Sequence, residues 1–223
     1  MSSDNLETQW VSTTPKLAKE IKVFAVEEIK TARRFLKKLD RSINIDELTF
    51  INCDKKASPQ DIGESLKHLK NGKDVGLISE AGCPSVADPG GKLVAAAHAE
   101  GIKVSPIVGA SSIIMSLMAS GLNGQQFSFV GYVPINKAER IKRIKFLEQR
   151  SKDERSTQIF IETPYRNNPL LADLCKNLAS TTRLCVASNI CGSDEFIQTK
   201  TIGEWKTNQP DLHKIPAIFL IQA

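Results

Sequence analysis

Val75-Gly-Leu-Ile78 runs directly into Ser79-Glu-Ala-Gly-Cys-Pro-Ser-Val-Ala-Asp-Pro-Gly90, and this junction decides the fold. The short apolar run reads as a buried strand, and the glycine- and proline-punctuated stretch after it as a loop at the strand's carboxyl end. Lys92 to Glu100 then reads as a helix stopped by Gly101. Strand, long loop and helix in that order form the repeating unit of an open α/β sheet. Such sheets bind their ligands outside the carboxyl ends of the strands.

The same alternation extends in both directions. Upstream, Val23–Val26 is a strand, Thr31–Lys38 lies in a helix, and Leu48–Ile51 is a second strand. Ser58-Pro59 opens a helix to Lys70, with serine able to cap and proline pre-set for the first helical position; Asn71-Gly72 ends it. Downstream, Val104–Val108 is expected as a strand, Gly109-Ala-Ser-Ser112 as a turn into the apolar helix Ile113–Ala119, and Phe127–Val130 as the strand closing the first half. Beyond Gly131-Tyr-Val-Pro134 a strongly basic helix leads to a strand at Gln158–Ile161 and a helix from Arg166 to Leu178. The late strands Leu184–Ala187, Glu195–Thr199 and Ala217–Ile221 follow without long helices between them, which predicts a mixed or antiparallel sheet. The expectation is an α/β chain of two domains: residues 1–132 with a parallel sheet and the ligand loops, and 133–223 with a mixed sheet.

With 41% hydrophobic and 25% charged residues, the composition is far from that of a disordered chain. No run reaches the roughly 18 apolar residues of a membrane span. The first residues lack the basic-then-apolar pattern of a secretory signal, so a soluble, cytoplasmic protein is expected. Cys53, Cys83, Cys175, Cys185 and Cys191 are scattered and odd in number, which fits reduced core residues rather than a disulfide framework. His68, His98 and His213 are equally dispersed, so no metal is expected.

The formal charge of +5 is modest, but its distribution is uneven. Lys30, Arg33, Arg34, Lys37, Lys38 and Arg41 fall in one stretch. Lys137, Arg140, Lys142, Arg143, Lys145, Arg150, Lys152 and Arg155 fall in another. These are either two solvated helix faces or phosphate contacts for a polyanion. The only tryptophans are Trp10 and Trp205, so recognition of single strands by stacking is not indicated.

The Ser79–Gly90 loop joins small residues, which let backbone amides approach a ligand, to two acids, Glu80 and Asp88. The 108–112 turn adds Gly109 and the hydroxyls of Ser111 and Ser112 at a helix start. Together they suit a nucleotide-like cofactor, or else they are ordinary turns with a capped helix. G-x-G-x-x-G after a strand and G-x-x-x-x-G-K-[ST] are both absent, which disfavours a dinucleotide fingerprint and an NTPase loop. In Phe160-Ile-Glu-Thr-Pro-Tyr-Arg166, a carboxylate and a guanidinium four residues apart can orient a polar ligand or simply pair with each other.

These segments resemble the tetrapyrrole-methylase superfamily, in particular its branch acting on ribosomal RNA. Gly76 to Gly90 is similar to V-S-D-A-G-T-P-x-I-S-D-P-G, and Pro106-Ile-Val-Gly-Ala-Ser-Ser112 to P-x-P-G-x-x-A/S. Phe160 to Arg166 is similar to F-Y-E-S-P-H-R, Val26 to Arg34 to A-E-D-T-R-x-T, and Ile215 to Leu220 to the closing strand. The resemblance implies a two-domain fold, a homodimer, and S-adenosylmethionine bound between the domains. It implies cofactor contacts at Ser79, Glu80, Ala81, Gly82, Cys83, Ser85, Val86, Ser111, Ser112 and Ile113. From the second domain it adds Glu162, Thr163, Ile190, Pro216 and Ala217. Candidate substrate contacts are Arg33, Arg34, Asp88, Arg140, Arg143 and Arg166; no catalytic base is assigned.

The family opens with a strand ending in a P-T-P-x-G-type loop, and this chain shows none; Ser3-Asp4 reads as that loop's remnant and Leu6–Thr13 as a stretch able to substitute. Glu80 and Cys83 also stand where the RNA branch has Asp and Thr. The leading expectation is methylation of a ribose 2′-hydroxyl in ribosomal RNA. The alternatives are methylation of a tetrapyrrole precursor or other small molecule, and a truncated, non-catalytic cofactor-binding protein.

Overall fold

The computed structural model describes residues 13–223, so Ser3-Asp4, Trp10 and the stretch before Thr13 lie outside the described residues. Those residues form two compact units, dividing between Ala110 and Ser111.

The first unit carries α1 (Thr13–Glu20), β1 (Val23–Val26), α2 (Ile29–Leu39), β2 (Thr49–Asn52), α3 (Pro59–Lys70), β3 (Val75–Ile78) and α4 (Gly91–Ala99). Its sheet has the order β2-β1-β3, with both pairings parallel. All four residues of β1 are buried, as expected of a central parallel strand covered on both faces. Phe24 and Val26 pack on one face with Ala32 and Leu36 of α2. Ala25 turns to the other, where Leu93 of α4 and Leu77 of β3 meet it. Gly76 permits the close approach of β3, because a Cβ there would lie 2.8 Å from the Phe24 ring. The expected start of α3 is a full capping box. Ser58 Oγ accepts from the Asp61 N–H, while the Asp61 carboxylate accepts from the Ser58 N–H at 2.8 Å.

One expected element of this unit is missing. Apart from an isolated bridge at Gly109, residues 102–108 belong to no strand, and Val104, Ile107 and Val108 are exposed. An apolar run holds strand geometry only when a neighbour takes up its backbone groups. Among the described residues β3 pairs with β1 alone, so 102–108 has no ladder to join.

The second unit, Ser111–Ala223, carries α5 (Ser112–Ser120), β4 (Phe127–Tyr132), α6 (Lys137–Glu154), β5 (Thr157–Ile161), α7 (Asn167–Asn177), β6 (Arg183–Ser188), β7 (Phe196–Thr201), α8 (Ile202–Trp205) and β8 (Ala217–Gln222). Its mixed sheet runs β4-β5-β8-β6-β7; only β4 and β5 are parallel. Period-two alternation sorts the side chains. Phe160, Leu184, Val186, Phe219 and Ile221 pack with Ile144, Leu147, Leu170, Leu171 and Leu174 of α6 and α7. Ile159, Cys185, Ala187, Ile218 and Leu220 pack with Leu117 of α5. Helix α5 and strand β4 thus pack with the later elements, whereas the sequence reads them as the close of the first half. Their partners β5 and β8 lie far along the chain, where local periodicity carries no signal.

Helix α6 hides one of its cations. Arg140 is buried, its Nε and Nη2 both donating to Asp173 Oδ2 of α7 at 2.9 and 2.6 Å, and its Nη1 to the Ile135 carbonyl at 3.0 Å. The guanidinium is committed to the fold, which removes Arg140 from the expected substrate contacts. Asp173→Ala strands that charge, and we expect a loss of about 3–5 kcal/mol in urea unfolding. The double variant Arg140→Leu/Asp173→Leu should recover most of the loss; equal midpoints for the single variant and wild type would contradict this reading.

Candidate functional site

In the first unit the carboxyl ends of β1 and β3 meet. The N–H of Glu80, two residues past β3, donates to the Glu27 carboxylate just past β1 at 3.4 Å. Asp88 folds back into the same region. Burial and the neighbouring Glu27 raise the pKa of both Glu80 and Asp88, with the hydroxyls of Thr31 and Ser79 opposing the rise. Glu27 is a group that sequence reasoning missed, although its place directly after a buried strand was a usable signal.

The loop between these acids is tightly wound. Gly82, Ser85, Ala87 and Gly90 all have positive φ, uncommon for serine and alanine. A Cβ on Gly90 would lie 2.7 Å from Leu77 and 2.9 Å from Ser85 Oγ. The Ser85 N–H donates to the Pro89 carbonyl and that of Val86 to the Cys83 carbonyl, closing the loop on itself. Cys83 Sγ donates to the Ala110 carbonyl at 3.7 Å, which ties this loop to the last residue of the same unit. Ser79 Oγ is buried and lies close enough to the Asp88 carboxyl to oppose the rise in its pKa. Glu80, Ala81, Gly82, Ser85 and Val86 are exposed.

In the second unit the expected residues also converge. Ile161 pairs with Ile218, and Ser188 with Ala217, so Glu162, Pro216, Ala217 and the turn after β6 share one end of the sheet. The Asn189 N–H donates to the Pro216 carbonyl at 3.2 Å, and Ile190 is buried between the left-handed Asn189 and Cys191. Glu162 is buried and clamps Arg166, accepting from Nε at 2.6 Å and Nη2 at 2.8 Å, which raises the arginine's pKa. Of the two open readings, the pairing is therefore realised, and it fixes where Arg166 stands. Thr163 Oγ1 is buried without a hydrogen bond among the described residues. Among the remaining candidate substrate contacts, Arg33 and Arg34 are exposed on α2, Arg33 lying 3.5 Å from Asp46. Arg143 lies over the Phe146 ring at 5.3 Å.

The profile of the Tetrapyrrole (Corrin/Porphyrin) Methylases matches residues 19–206. The chain belongs to this family. It is similar to the ribosomal RNA small subunit methyltransferase I of Pseudomonas aeruginosa, 34% identical over 152 residues that cover 68% of this chain and 52% of that protein. The chain thus spans about half the length of the curated relatives it matches. Among solved structures, the methyltransferase CobJ is 14% identical with a TM-score of 0.62, over 97% of this chain and 89% of that one. A uroporphyrin-III C-methyltransferase from Thermus thermophilus, complexed with S-adenosyl homocysteine, is 13% identical with a TM-score of 0.51, over 95% of this chain and 90% of that one. These likenesses establish the methylase fold.

The carboxyls of this acidic loop carry a stability signature. A folded-state pKa above the unfolded value means that the fold penalises the ionised form; the penalty is present at neutral pH and relieved as pH falls through the folded pKa. Both groups are largely solvated, so the effect is small. Glu80→Gln should raise the thermal midpoint at pH 7 by about 1–2 °C. The gain should vanish below the ordinary carboxylate range, and a lower midpoint at pH 7 would contradict this account.

Proposed function

We propose that the protein is a cytoplasmic, homodimeric methyltransferase that uses S-adenosylmethionine to methylate ribosomal RNA at a ribose 2′-hydroxyl. The observation that carries this reading is its similarity to the ribosomal RNA methyltransferase of Pseudomonas aeruginosa across the cofactor-loop region. No helix among the described residues is long and apolar enough to cross a membrane.

The residues present suit the cofactor. Thr163 Oγ1 is a buried hydroxyl without a hydrogen bond among the described residues, and it sits in a loop that the family resemblance assigns to the cofactor. The small residues from Ser79 to Gly90, exposed at Ala81, Gly82 and Ser85, leave the backbone open to close approach by a ligand. The proposed contacts are Ser79–Cys83, Ser85, Val86 and Ser111–Ile113 from one set of loops, and Glu162, Thr163, Ile190, Pro216 and Ala217 from the other. When bound, S-adenosylmethionine supplies an electrophilic methyl group on its sulfonium and needs no metal to do so.

What remains for the protein is to hold the acceptor oxygen in line and to take its proton. The buried Glu162 carboxylate is occupied by Arg166 and the Thr163 N–H, so it positions groups rather than accepting a proton. The exposed Lys142 and Lys145, with Arg143, offer phosphate contacts on α6, and Arg33 and Arg34 offer more on α2.

Calorimetric titration of the 223-residue chain with S-adenosylmethionine and its demethylated product should give micromolar binding. Radiolabelled methyl transfer to small-subunit RNA should follow. Arg143→Glu/Lys145→Glu should weaken RNA binding by roughly tenfold or more and lower its salt slope by about 1.5. Transfer to a tetrapyrrole but never to RNA would overturn the substrate, and a chain that binds neither cofactor form would overturn the activity.

A further inference from the structure

Both tyrosines of the chain stand at one end of the second unit's sheet, and neither ring is buried: Tyr165 is 67% and Tyr132 59% exposed. By contrast Trp205, Phe160 and Phe219 are fully enclosed in the core. Tyr165 is the middle residue of a single 3-10 turn, Pro164–Arg166, that is fastened on several sides. The Glu162 carboxylate grips Arg166, the Arg166 N–H donates to the Thr163 carbonyl at 2.8 Å, and the Lys214 N–H donates to the Pro164 carbonyl at 3.1 Å. The backbone beneath this ring is thus held on both sides, while the ring itself gains little burial.

Its neighbours add a charge pattern. His213 meets the Tyr165 ring edge-on, at 6.2 Å and 77°, and Lys214 Nζ lies 6.0 Å from the ring centroid. Lys214 is held in the left-handed region, with φ 61°, the turn that directs this loop back toward Pro164. Arg166 adds a second permanent cation, and Tyr132 lies opposite Ile161 across the β4–β5 pair. The nearby carboxylates are already engaged: Glu162 with Arg166, and Asp211 with the Asn168 amide and the His213 N–H. The result is an exposed aromatic face bordered by the Lys214 cation. A flat base joined to phosphodiesters matches both features at once, because every base has a π-face and every linkage an anion. A duplex matches only the charge, since its bases are stacked on one another.

We propose that Tyr165 is a stacking platform for an unpaired nucleobase, with Lys214 taking an adjoining phosphate and Arg166 holding the turn, so that this end of the sheet selects single-stranded RNA. The proposal rests on the RNA-directed reading above and narrows it to an unpaired acceptor region. It also reverses the expectation drawn from the scarcity of tryptophan, since a stacking surface can be supplied by the exposed Tyr165 instead.

The test is fluorescence anisotropy of the full chain with two labelled RNAs, a single strand of about 12 nucleotides and a duplex of about 16 base pairs. Tyr165→Ala should weaken single-strand binding by about 5- to 150-fold and leave duplex binding unchanged, whereas Tyr165→Trp should retain single-strand affinity. Lys214→Gln should lower the single-strand salt slope by about 0.7. Because Tyr165 is exposed, an unchanged thermal midpoint will show that Tyr165→Ala is folded. If wild type binds RNA and Tyr165→Ala binds the single strand equally well, the stacking proposal falls and the RNA reading stands. If wild type binds neither RNA, both fall.

Discussion

The second unit depends on β8 lying antiparallel between β5 and β6, because that register sets Ala217 against Ser188 and Ile218 against Ile161. Every residue of β8 before Gln222 is buried, with alternate side chains divided between two hydrophobic layers. A slip of one residue would exchange the layers and place Phe219 where α5 now receives Leu220. The same pairing brings the Ile215–Pro216 approach beside the turn after β6 and beside Glu162. The candidate site in this unit is therefore a consequence of the core's register: the loops have no freedom to meet elsewhere.

Much of this was legible in the sequence, for identifiable reasons. Strands β1, β3 and β8 are short apolar runs bounded by polar or turn residues, and α3 announces itself with Ser58-Pro59. What was not legible is what depends on pairing. Val104–Val108 has the composition of a strand, but composition does not provide the neighbour a strand needs. Likewise β4 looks like the end of the preceding alternation until β5 is seen beside it. Arg140 is indistinguishable in sequence from Lys142 and Arg143; only the position of Asp173 on α7 shows that one of the three is internal.

The candidate site shows the same division. The loop from Ser79 to Gly90 stands out because glycine and proline mark unusual backbone, and its positive φ values fall at two glycines. That Ser85 and Ala87 share that conformation cannot be read from their identities, since neither residue favours it. Nor can Glu27 be tied to Glu80 without knowing that β1 and β3 are adjacent and parallel, with their carboxyl ends side by side. Tyr165 lay in a motif noted for its Glu and Arg. Its significance comes from the His213–Lys214 loop, far away in sequence, which folds against it.

The Glu162–Arg166 pair links these observations. A buried carboxylate must be paired, since an isolated charge would carry a large desolvation cost, and the pairing partner four residues on forces the intervening Thr-Pro-Tyr into a tight turn. Pro164 fixes its own φ and lacks an N–H that the turn would leave unsatisfied. With both ends of the turn fixed, the Tyr165 ring is held at the surface rather than left free to fold onto an apolar neighbour. Replacing Arg166 by lysine would keep the charge but lose the two-point grip, because an ammonium cannot reproduce the planar fork. The identity of residue 166 therefore matters less for its charge than for the geometry it imposes on the residue before it.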